Sequence, residues 1–163
     1  MNVRWTLFNS MSMKKILMVA VMALGFVLTA AAGDGPRAIG IRGGYGVELS
    51  YQHNLGSNFL EADLGLVGSY VNLAATYNWM IARPQFTDRG DWGVYAGPGA
   101  TVGLGGGFHV AAAGMVGLEY QFWFPLQLSV DIRPQVGLGM GGDEPLGLHF
   151  SGFWPTLGVR YKF

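Results

Sequence analysis

Glu61 and Asp63 stand two residues apart. On a strand both side chains would leave by the same face. Such a pair could flank a substrate as general acid and general base. Asp131 with Arg133, and Arg160 with Lys162, repeat the spacing with other charges. Pairing of these groups across an enclosed interior is the simpler use of them, because unpaired buried charge is costly. No histidine cluster strengthens the catalytic reading: His53, His109 and His149 lack the spacing of metal ligands. The glycines of GLGGG (103–107) precede neither Lys-Ser/Thr nor a helical pattern, so they form no phosphate loop. The chain has no Cys, which removes a thiol nucleophile, a thiolate zinc site, a disulfide framework and a lipid-modified N-terminal cysteine. These residues imply no cofactor and assign no catalytic group, so the expectation is a protein that is not an enzyme.

The elements that position these charges follow from composition and periodicity. Of 163 residues, 50% are hydrophobic, 12% are charged and 27 are Gly. Soluble domains carry about 25% charged residues and about 7% Gly. Ten basic residues balance ten acidic ones, which gives no reason to expect a nucleic-acid partner. One domain is the expectation for this length.

The first 32 residues read as an export signal. Lys14 and Lys15 precede an apolar run from Ile16 to Leu28, and Ala30 and Ala32 place small side chains before Gly33. This is the layout of a cleaved signal peptide, and the run is short for the ~20 residues of a spanning helix. Residues 1–13 are an extended n-region, or an upstream start ahead of Met13. Residues 33–163 form the second unit. They carry seven basic and ten acidic side chains, net −3.

That unit alternates with period 2 over 37–53, 59–67, 70–82, 92–104, 108–122, 126–138 and 153–163. Apolar faces such as Ile39, Ile41, Val47 and Leu49 oppose polar ones such as Gly40, Arg42, Glu48 and Ser50. Long alternation means strands with one face of each kind. Gly, Pro, Asn and Asp fill the breaks, and no helical period separates them, so consecutive strands form an antiparallel meander. A soluble barrel would turn its apolar face inward. Here the apolar faces are long and the opposite faces mix small residues with charges, as a narrow polar barrel interior requires. Trp79, Trp92, Phe122, Trp123, Phe124, Trp154, Tyr161 and Phe163 cluster near segment ends, as interfacial girdles do. The expected fold is all-β: a closed antiparallel up-and-down transmembrane barrel. Its rival is a soluble periplasmic lipocalin-like barrel.

With its signal peptide, its alternating segments and the final Tyr161-Lys162-Phe163, the chain resembles the small, porin-like outer-membrane β-barrel proteins of Gram-negative bacteria. PLQLSVDIRPQ (125–135) is similar to a late strand of that family. The resemblance implies an outer-membrane location, contact with lipid and lipopolysaccharide, and recognition of Tyr161 and Phe163 by the barrel-insertion machinery. It implies an even strand number with both termini in the periplasm. Seven segments are visible. Splitting 37–53 at Gly43-Gly44-Tyr45-Gly46 gives eight strands with a short first one. An unbroken strand with a glycine bulge keeps seven. The outer loops are expected to be short except 139–149.

The inward-facing charges are then Arg42, Glu48, Glu61, Asp63, Glu119, Asp131, Arg133, Arg160 and Lys162, expected as a ladder of interior ion pairs. Side chains should fill an eight-stranded lumen and prevent bulk conduction. The resemblance also extends to lipid A deacylases through His149 and Ser151 in LHFSG. That family has a Glu about a dozen residues later, whereas no acid follows Glu144 here. Three functions are consistent with the sequence. The first is a structural or surface-interaction barrel. The second is binding or transport of a small apolar ligand. The third is lipid A acyl hydrolysis. Oligomeric state is left open.

Overall fold

The structure, a computed structural model, describes residues 37–67, 70–105, 107–141 and 144–162. Residues 1–32, with Ala30 and Ala32, and Phe163 lie outside the described residues. The strands are β1 (Arg37–Gly43), β2 (Val47–Leu55), β3 (Asn58–Val67), β4 (Tyr70–Ala82) and β5 (Asp91–Leu104). They continue as β6 (Phe108–Gln121), β7 (Leu126–Ile132), β8 (Gln135–Gly141), β9 (Glu144–Ser151) and β10 (Thr156–Lys162). Sequential antiparallel pairing runs from β1 to β7, β10 pairs with β7, and β1 pairs with β10. The result is a closed antiparallel barrel of eight strands.

The segment 37–53 is two strands. Gly44 donates its N–H to the carbonyl oxygen of Gly46 at 3.0 Å, and the ladder resumes with Gly43 opposite Val47. The odd-numbered apolar pattern crosses this turn unbroken because the pairing is in phase: Ile41 faces Leu49 and Ile39 faces Tyr51.

Two strands are interrupted. The first half of β6 pairs with β8 and the second half with β7, so β7 and β8 are one strand broken at Arg133-Pro134. Pro134 has no N–H to offer the ladder, but its carbonyl oxygen accepts the Gly114 N–H at 2.9 Å. Likewise β9 and β10 are one strand broken at 152–155, where Gly152 takes a φ of 79°. Side chains seldom adopt that conformation.

This corrects the expectation of a long outer loop at 139–149. The residues 135–141 and 144–151 form a hairpin, with Leu138 opposite Leu148 and Gly137 opposite His149. Glycines in 139–149 suggest a turn, but Gly139 and Gly147 face each other in the ladder, and Gly137 just before them serves close strand approach. A Cβ at that position would collide with the Val110 carbonyl oxygen and with Ala111.

The stagger of the ring follows from its register. Cross-strand partners lead from Ala38 through Gln52, Glu61, Thr76, Gly99, Ala113 and Gln135 to Ser151. The direct partner of Ala38 on the neighbouring strand is Lys162. A closed barrel needs such an offset because its strands tilt. One consequence is that the β8–β9 hairpin rises beyond the β1–β2 turn.

Burial is inverted relative to a water-soluble core. Arg42, Glu61, Asp63 and Arg160 are each at most 1% exposed, whereas Ile41, Val47, Leu66, Ile81, Leu148 and Leu157 are more than half exposed. The wall also carries an aromatic group at the end that holds the β6–β7 turn. Phe86, Trp92, Tyr120, Phe122, Trp123 and Phe124 form successive ring contacts with centroids 4.6–5.9 Å apart.

Replacing Gly137 with Ala should destabilise the protein by about 1–3 kcal/mol, the usual cost of forcing atoms into a filled site. Gly43, whose Cβ position is open, should accept Ala within about 0.5 kcal/mol. Denaturant midpoints followed by tryptophan fluorescence compare the two.

Candidate functional site

The nine charged residues named from the sequence all project into the barrel, carried by β1, β2, β3, β6, β7, β10 and the β7–β8 joint. Arg42 of β1 is the hub. Its guanidinium donates to Glu48 at 2.9 Å, to Asp63 at 2.6 Å and to Asp131, and its Nε lies 3.4 Å from Glu61. Those four carboxylates come from β2, β3 and β7. Arg133 shares two of them, donating to Asp63 at 2.6 Å and to Glu48. Pro134 restricts the backbone of Arg133 to extended conformations, and there the strand halts while the side chain turns into the lumen.

A neighbouring layer is built on Arg160. It donates to Glu61 at 2.5 Å and to the hydroxyl oxygens of Ser50 and Ser129, each at 2.9 Å. Gln52 adds a hydrogen bond to Glu61 at 2.7 Å. Glu61 thus receives donors from β2 and β10 while its own strand is β3. Buried carboxylates and guanidinium groups are tolerable only when paired and hydrogen-bonded in this way.

Toward the opening that holds the strand termini, Glu119 and Lys162 are joined through an amide. Lys162 donates to the Gln121 oxygen at 2.6 Å, and the Gln121 amide donates to Glu119 at 2.8 Å. Gln127 donates to the other Glu119 oxygen at 2.6 Å. Direct ion pairs thus involve Arg42, Arg133 and Arg160, while Lys162 and Glu119 communicate through Gln121. Tyr161, on the outward face of β10, is more than half exposed.

Tyr95 of β5 is a lumen residue missing from the inward set named from the sequence. It is fully buried, and its hydroxyl donates to Asp131 at 3.0 Å across the lumen. Its ring meets Phe59 edge-on at 5.1 Å, and Met115 completes an apolar block inside the barrel. The available signal was position: Tyr95 is a bulky residue flanked by Gly93 and Gly97 on a face of small residues.

The arrangement closes the lumen. Arg42 and Tyr95 reach Asp131 from β1 and β5, Arg160 bridges β2, β3 and β7, and the Phe59-Tyr95-Met115 block is buried inside the barrel beside them. Glu61 and Asp63 are both buried and paired with guanidinium partners.

His149 and Ser151 share one face of β9. The His149 ring lies over Gly139 and near His109, whose own ring covers Gly103. Among the described residues, neither His149 nor Ser151 is hydrogen-bonded to a carboxylate. Neither a protein-family model, nor a curated protein, nor a solved structure matches the chain.

Replacing Arg42 with Met strands Glu48, Asp63 and Asp131 around an uncharged side chain. The expected loss is about 3–5 kcal/mol of stability, as for other broken buried pairs. Lys162→Met removes a half-buried cation held by one amide, and should cost under about 1 kcal/mol. Equilibrium unfolding of the two variants under identical conditions tests the contrast.

Proposed function

We propose that the protein is a small barrel of the bacterial outer membrane, with a structural or surface-interaction role and a lumen sealed by its own side chains. The observation that carries this reading is the inversion of burial. Arg42 and Arg160 are at most 1% exposed inside the barrel, while Val102, Val110, Val136, Leu138 and Phe150 line its outer wall. Water penalises such a wall. A bilayer favours it, and closure leaves the ring strands with their backbone groups paired, which hydrocarbon requires. Trp92, Tyr120 and Trp123 supply the amphipathic rings that settle at a headgroup boundary, with the apolar rings of Phe122 and Phe124 packed among them. Contact with lipopolysaccharide and delivery by the barrel-insertion machinery through Tyr161 and Phe163 belong to the same reading. The filled lumen supports a role without bulk transport and without catalysis.

Cell fractionation with heat-modifiable gel mobility tests the proposal. The expected result is recovery with the outer membrane, and a folded species that migrates differently before and after boiling. Recovery in the soluble periplasmic fraction would overturn it. Planar-bilayer recording of purified protein should show no sustained ion conductance; steady channel events would move the reading to transport.

A further inference from the structure

We infer that β9 is a docking edge for a second copy of this chain, pairing antiparallel with the β9 of its partner. This inference rests on the membrane reading, because it is there that an unpaired strand edge is hardest to satisfy. Among the described residues β9 pairs on one side only, with β8. The neighbour that would cover its other side is β1, but β1 ends at Gly43, opposite Leu157 of β10. The ring is therefore closed at β10 and open at β9, directly above the β1–β2 turn.

The surroundings of this edge are apolar. On β9 itself the outward Leu148 and Phe150 are 61% and 67% exposed, whereas their neighbours Val136 and Leu138 on the doubly paired β8 are 41% and 47% exposed, and Phe153 and Trp154 just beyond β9 are exposed as well. Lipid can cover these side chains, but it cannot hydrogen-bond a row of backbone N–H and C=O groups. Only another extended backbone matches that row. Natural edges are commonly blunted by lysine or by a central proline. β9 has no Lys or Arg, and its one proline, Pro145, stands next to its outer end.

The chemistry of β9 favours a copy of itself. Its only charged residue is Glu144 at one terminus, so antiparallel pairing places the two copies of that residue at opposite ends of the new ladder. The alternation then continues across the junction, with Leu148 and Phe150 of both copies on the lipid face. Such a contact is two-fold symmetric and closes on itself.

The chain has no Cys, so single cysteines report the contact directly. Gly147, Leu148, His149, Phe150 and Ser151 are each replaced by Cys in the full chain, and disulfide-linked dimer is measured after mild oxidation in membranes. A two-fold axis predicts a yield that peaks at one β9 position and falls on both sides, several-fold above Val136→Cys on the doubly paired β8. Yields no higher than that control, or a flat profile, would overturn the inference. So would a cross-linked product whose mass identifies a different protein. Heat-modifiable mobility of the same variants, read separately, shows whether the barrel is folded in the membrane, so failure of the membrane reading is distinguishable from failure of the pairing.

Discussion

A guanidinium group withdrawn from water has to be satisfied by anions, and in this protein that requirement centres on Arg42. Its partners Glu48, Asp63 and Asp131 sit on three different strands. They converge only if β1 lies beside β2 and the ring brings β7 round to face it. A different strand order or stagger would leave buried charges unpaired. Such a defect is far more costly than the modest net benefit of a correctly formed pair. The network therefore works less as a source of stability than as a condition on the register.

The same condition links the inside of the barrel to the outside. Side chains alternate, so a slip of one residue would send Arg42 outward and Ile41 inward. The apolar wall and the charged lumen are thus one constraint seen from two sides. Arg160, Ser50, Ser129 and Gln52 extend the constraint to a second layer around Glu61. Tyr95 ties the polar layers to the apolar block, with its hydroxyl on Asp131 and its ring on Phe59. Removing its hydroxyl would leave the Asp131 oxygen with only a long contact from Ser129, at 3.5 Å.

Most of this architecture was legible in the alternation, because the period of a strand survives in sequence wherever its two faces meet different surroundings. Hence the strands through Gln121 and the inward set of nine charges follow from residue parity, whereas the turn at Gly44–Gly46 does not: the odd-position pattern crosses it unbroken, and the split rests on its glycines and on the even strand number that the resemblance implies. The β8–β9 hairpin did not, because glycine is ambiguous: Gly139 looks like a turn residue yet lies in β8, where it allows close packing against His149. Parity also says which face a side chain takes and nothing about how far it reaches. The bridging of Lys162 and Glu119 by Gln121, and the role of Tyr95, depend on side-chain length and on distances across the lumen that a single strand does not encode.

The pairing of β1 with β10 has a kinetic consequence. Hairpins such as β2–β3 and β5–β6 join residues close in the chain, so their loops close at little entropic cost. Ala38 and Lys162, by contrast, meet across nearly the whole described chain, and contacts of that separation slow folding. A sheet of β1 to β7 without β10 is open, and in it Arg42 would have Glu48 and Asp63 at hand while Asp131 stayed distant. The last electrostatic contacts and the last backbone ladder then form in a single act of closure. Strand pairing can grow gradually; the buried charge network can be completed only all at once.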